Sequence, residues 1–66
     1  MRMIIDYAGN RYETPATDEV TAEQAKDALY SQLEKLNKLE LQLEGGGFLL
    51  LGPKAVESCA IQILDA

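Results

Sequence analysis

Residues 45–52 read Gly45-Gly46-Gly47-Phe48-Leu49-Leu50-Leu51-Gly52, and the fold turns on how this stretch is read. A phosphate-binding loop needs a glycine-rich turn that opens directly into a helix and ends in Lys-Ser/Thr. Here Gly47 runs into four large apolar residues, the nearest lysine is Lys54, and no Ser or Thr follows it. The GxGxxG dinucleotide fingerprint is absent too. Glycines supply the positive φ that tight turns demand, so the stretch reads as a hairpin turn followed by a strand over Phe48–Leu51. A strand on the surface of a one-helix sheet should alternate between apolar and polar residues. This one does not, so both of its faces are expected to be buried.

Working upstream, Leu39, Leu41 and Leu43 alternate with Glu40, Gln42 and Glu44, which gives a strand with one wet face. Before it lies a helix over Ala22 to Leu36. Thr21-Ala22-Glu23-Gln24 fits a capping box, with Val20 and Ala25 at the staple positions. Ala22, Ala25, Leu29, Leu33 and Leu36 form an i, i+3, i+4 stripe. Asn37 is placed as a left-handed stop. The first strand, Met1 to Tyr7, puts Met1, Met3, Ile5 and Tyr7 on one face and Arg2, Ile4 and Asp6 on the other. A turn centred on Gly9-Asn10 then sets Tyr7 opposite Tyr12, Ile5 opposite Thr14 and Asp6 opposite Glu13, with Arg11 diagonal to Asp6. Pro15 ends the second strand.

Downstream, Gly52-Pro53 breaks the chain, and Pro53 is suited to open a helical turn through Lys54-Ala55-Val56. Cys59 to Leu64 is the last strand. The order is β-β-α-β-β-β over a single domain, residues 1–66. The fold class is α+β: an antiparallel β-sheet with one helix packed on one face.

Size makes that plan incomplete. A chain of 66 residues buries only about 60% of its unfolded surface. Small domains add disulfides, a metal or oligomerisation. Cys59 is the only cysteine and there is no histidine, so neither an internal disulfide nor a closed zinc site is expected. Oligomerisation remains. The second apolar patch supplies a surface for it: Leu49 and Leu50, of which one parity faces back, with Ile4, Ala60 and Leu64 from the flanking strands. A homo-oligomer is expected to close over them.

The chemistry of catalysis is missing. Without histidine there is no Ser–His or Cys–His pair, and Cys59 sits in an apolar alternating run that suits an inert thiol. The acidic residues form no spaced motif. No catalytic residue, metal site or cofactor is expected. The net charge of -5 disfavours nucleic acid and anionic membrane surfaces. No apolar run is long enough to cross a membrane, and Met1–Ile5 is too short an apolar start for a signal peptide, so a cytoplasmic protein is expected. Two binding roles compete. One is contact with a protein, through the acidic helix face (Glu23, Asp27, Glu34) or a sheet surface. The other is capture of a small anionic ligand such as a nucleotide. For this, Tyr7, Tyr12 and Tyr30 offer stacking surfaces, and Arg2, Arg11 and Lys54 offer phosphate contacts. Tyr7, Arg11, Tyr12 and Lys54 are the candidate ligand set.

Taken whole, the plan of a hairpin MRMIIDYAGNRYE (1–13), a helix AEQAKDALYSQLEKLN (22–37) and KLELQLEGGGFLLLGPKAVESCAIQIL (38–64) resembles the small acidic accessory proteins encoded by bacteriophages. That resemblance implies action by binding, either blocking a host defence protein or sequestering a nucleotide signal. It assigns no functional residue. The alternative is a generic structural or protein-interaction module, such as an immunity-type protein.

Overall fold

A computed structural model describes residues 1–65. The elements are β1 (Arg2–Tyr7), β2 (Asn10–Glu13), α1 (Ala22–Leu36), β3 (Leu39–Gln42), β4 (Phe48–Leu51), α2 (Pro53–Ser58) and β5 (Ala60–Leu64). The class is α+β with antiparallel pairing throughout, in the expected order apart from the short helix α2. The single sheet is corrected: there are two, a three-stranded sheet in the order β2-β1-β5 and a two-stranded sheet β3-β4.

The two sheets share one core. Met3 and Ile5 of β1 meet Leu39 and Leu41 of β3 and Leu51 of β4, and all five are buried. Leu29 and Leu33 of α1, Leu49 of β4, Ala55 and Val56 of α2, and Ile61 and Ile63 of β5 pack around them. The pairings Ile5↔Ile61 and Met3↔Ile63, with Leu39↔Leu51 and Leu41↔Leu49, follow from the two-residue period of each strand. Each sheet turns one apolar face inward, and this is why an alternating sequence needs no second layer over its wet face.

The first hairpin forms with a different turn. Its central residues are Ala8 and Gly9, both with positive φ (51° and 81°). The register is therefore Ile4↔Glu13, Ile5↔Tyr12, Asp6↔Arg11 and Tyr7↔Asn10, two residues from the expected pairing. A two-residue slip keeps every side chain on its expected face. It also removes the unfavourable Asp6–Glu13 pair and sets Arg11 directly across from Asp6. Thr14 then meets Met3, whose N–H donates to the buried Thr14 Oγ1 at 2.8 Å while the Thr14 N–H donates back to the Met3 carbonyl.

Ala8 holds a left-handed backbone that costs an ordinary residue on the order of 1 kcal/mol. Asn-Gly is the favoured pair for a two-residue hairpin turn of this kind. Ala8→Asn is therefore expected to stabilise the domain by about 0.5–1 kcal/mol, read as a higher urea midpoint with an unchanged slope. A lower midpoint would show that Ala8 is not a strained position in the turn.

α1 follows its sequence signals closely. Thr21 Oγ1 accepts from the Gln24 N–H, and the Gln24 side chain accepts from the Thr21 N–H, completing the capping box. Asn37 ends the helix in the left-handed conformation, its N–H on the Leu33 carbonyl. Ala25 is buried, but Leu36, expected on the buried stripe, is 55% exposed because the helix ends there. One cap has no local signal: Asp65 Oδ1 accepts from the Ala22 N–H at 2.6 Å, across 43 residues of chain.

Candidate functional site

The outer face of the β3-β4 hairpin is the part of the molecule left over when the core is complete. The turn that makes it is the glycine triplet. Gly45, Gly46 and Gly47 all have positive φ, between 84° and 96°. A Cβ at any of them would meet no neighbouring atom within 4 Å, so backbone conformation and not space requires glycine. The Leu43 N–H donates to the Gly47 carbonyl and the Gly46 N–H to the Leu43 carbonyl, closing the turn.

That closure fixes which way β4 faces. Leu49 and Leu51 point inward with Leu41 and Leu39, and Leu51 is 3% exposed. Phe48 and Leu50 point outward beside Gln42 and Glu40, and are 64% and 70% exposed. Within one chain, therefore, β4 is buried on one face only, and the expectation of burial on both faces is corrected for the isolated chain. The leftover parity is Phe48 and Leu50. Leu49, named as a candidate interface residue, belongs to the core side.

The other candidate interface residues lie elsewhere. Ile4, Ala60 and Leu64 sit on the back of the three-stranded sheet, a different surface from Phe48 and Leu50. Ile4 is only 8% exposed. Two ion pairs flank it on that face: Arg2 Nη1 with Glu13 Oε1 at 2.9 Å, and Arg11 Nε with Asp6 Oδ1 at 2.9 Å. The aliphatic stems of long side chains cover apolar surface in this way. Ala60 is exposed and Leu64 half-buried. The single patch expected from sequence thus divides into a polar, ion-paired back face and an apolar hairpin face.

The candidate ligand residues face different ways: Tyr7 and Tyr12 share the inner face of the first hairpin, Arg11 lies on its back, and Lys54 is on α2. Arg11 is forked on Asp6, with its Nη2 donating to Asp6 Oδ2 at 3.4 Å in addition to the Nε contact. This hydrogen bond, then the Asp6 charge, and to a smaller extent Glu13, raise the Arg11 guanidinium above its ordinary pKa. Tyr12 packs against the core from β2. Tyr7 is half-buried at the end of β1, and Lys54 is exposed on α2. Arg2 is committed to Glu13.

A groove of about 390 Å³ does open between α1, α2 and β5, with Leu29, Leu33, Val56, Ile61 and Ile63 as its floor and Lys26 and Tyr30 among its lining. None of Tyr7, Arg11, Tyr12 and Lys54 lines it. Tyr30, 65% exposed, is the one stacking candidate that does. The groove has no local sequence signal, because its lining comes from α1, β3, α2 and β5, which meet only in the fold.

Among the described residues there is no cluster of three or more Cys, Asp or Glu side chains that could hold a metal ion. The Cys59 thiol is half-buried and donates to the Val56 carbonyl at 3.4 Å, the contact of a structural cysteine. No helix in the described residues is long and apolar enough to cross a membrane. Comparison with protein-family models, with curated proteins and with solved structures gives no match to this chain.

Proposed function

We propose that this chain is a non-enzymatic, self-associating binding module. In its most specific form it is a phage-type inhibitor that works by occupying a host defence protein. The observation that carries the reading is the pair Phe48 and Leu50, two large apolar side chains left 64% and 70% exposed side by side on one hairpin face. Contiguous apolar side chains on a small domain mark contact surfaces. Protein contact is favoured over nucleotide sequestration. The arginines that would hold a phosphate, Arg2 and Arg11, are already paired with Glu13 and Asp6, and the net charge of -5 opposes anions.

A domain that assembles is stabilised by its own concentration, because anything that binds the folded state alone raises its melting temperature. The melting temperature is expected to rise when protein concentration is raised a hundredfold, and to stay fixed when mono-, di- and cyclic nucleotides are added. A melting temperature independent of concentration overturns self-association. A clear upward shift with a nucleotide overturns the preference for protein contact and restores the sequestration role.

A further inference from the structure

Beyond exposing two apolar side chains, β4 exposes its backbone. Leu43 and Gly47 share a ladder bond, so in the alternation of an antiparallel pair the hydrogen-bonded partners are Leu41↔Leu49 and Leu39↔Leu51. The N–H and C=O groups of Phe48 and Leu50 consequently point away from β3. Among the described residues, no backbone or side-chain group takes them. The opposite edge of the same hairpin is treated differently. The Glu40 N–H is taken by the Gln32 side chain, and the Glu44 N–H by the Glu13 carbonyl. The β3 edge is tied down at Glu40 and Glu44, and the β4 edge carries no such contact.

Open edges are normally blunted by lysine, proline, a bulge or an inward charge. Phe48-Leu49-Leu50-Leu51 carries none of these. β5 also has an outer edge, but its outward side chains are Ala60, Gln62 and Leu64, with Leu64 half-buried. Among the described residues, only β4 joins an open backbone edge to large exposed apolar side chains.

Resting on the self-association read above, we propose that the occupant of this edge is a second copy of the chain, docked by antiparallel pairing of β4 with β4 across a two-fold axis through Leu49. The sequence of the strand is self-complementary in that arrangement. Phe48 falls opposite the partner copy's Leu50, and Leu50 opposite its Phe48. Both pairs are hydrogen-bonded in type, so each exchanges two N–H to C=O bonds and four form in all. Leu49 meets its own counterpart on the inner face. Leu51 falls opposite the partner copy's Gly47, where no side chain competes for room. The product is a continuous four-stranded sheet in the order β3-β4-β4-β3, with Phe48 and Leu50 of both copies as a strip on its outer face. A two-fold interface uses the same patch twice, which this spacing satisfies and which ends growth at two.

The test combines mass with amide exchange on the full chain. Sedimentation equilibrium from low micromolar to several hundred micromolar protein is expected to show a mass rising from 7.3 kDa to twice that and no further. Over the same range, hydrogen exchange at the Phe48 and Leu50 amides is expected to slow at least tenfold, while exchange at the exposed Gly45 amide, which donates to no described group, stays constant. Leu50→Lys is expected to hold the mass at 7.3 kDa throughout and to keep both amides fast. A dimer in which Phe48 and Leu50 still exchange freely overturns pairing through β4 and leaves self-association standing. A monomer at every concentration overturns both. Growth past two copies overturns the closed two-fold.

Discussion

Leu39→Ala is expected to leave the domain mostly unfolded at 25 °C. Leu39 is 1% exposed, and only Ile5 among the large side chains is as fully enclosed. It sits where β3, opposite Leu51 of β4, meets Met3 and Ile5 of the other sheet. It also lines the floor of the groove beneath α1. Truncating an enclosed leucine removes its transfer energy and leaves a cavity that rigid neighbours cannot fill, at a cost of about 2–5 kcal/mol. A single core in a chain this small rarely supplies more than about 3–5 kcal/mol in total. The loss is therefore comparable to the whole stability. Circular dichroism and urea unfolding at low micromolar concentration check it. A destabilisation below about 1 kcal/mol would place Leu39 among the side chains that can relax, and the shared core of the two sheets would have to be redrawn. Leu36→Ala, on the same helix-to-strand connection but 55% exposed, is the contrast, with a change expected within about 0.5 kcal/mol.

The parts of this structure that the sequence announces are those decided within a few residues. Thr21 and Gln24 stand three apart and satisfy each other, so the helix start is legible without any knowledge of the fold. Asn37 and the glycine triplet are equally local. The hairpin register is harder, because Gly9 fits a turn either as its first or as its second central residue. The choice fell to Ala8-Gly9, where Asp6 and Arg11 come face to face. Separation into two sheets was out of reach of a strand-by-strand reading. β3 and β4 pair with each other and with nothing else, and no alternation pattern records which strands stay unpaired. Asp65 capping Ala22 is the same kind of feature, a contact across the whole length of the helix and both sheets.

The candidate site was half legible for a related reason. Four consecutive apolar residues said that β4 had an apolar back, and this is where the exposed side chains are. They could not say which parity formed it, since Phe48 and Leu50 are as apolar as Leu49 and Leu51. The inward parity is set by the closure of the turn at Leu43 and Gly47. Ile4 joins the same patch only if all five strands form one sheet. Once β1 and β4 belong to different sheets, Ile4 is left among ion pairs with no apolar neighbour from the hairpin face.

Leu49→Lys and Leu50→Lys are adjacent substitutions of identical chemistry, and they are expected to do opposite things. Leu49 packs against the core beside Leu41. A lysine there loses that packing and must carry its ammonium out past β4, so a loss of about 2–4 kcal/mol is expected, enough to unfold most of the protein. Leu50 is 70% exposed. A lysine there leaves the isolated fold within about 0.5 kcal/mol of the parent and places a charge on an edge strand, which is how natural sheets prevent pairing. Two columns of data separate the cases: urea unfolding in dilute solution, where only the single chain is present, and mass at high concentration. Leu49→Lys should fail the first. Leu50→Lys should pass the first and remain a monomer in the second. If both unfold alike in dilute solution, Leu50 is not on the outside of the chain. If Leu50→Lys still assembles as the parent does, the hairpin face is not the contact. The difference between neighbours is set by the register that the turn imposes: Leu49 lies opposite the inward Leu41, and Leu50 opposite the exposed Glu40.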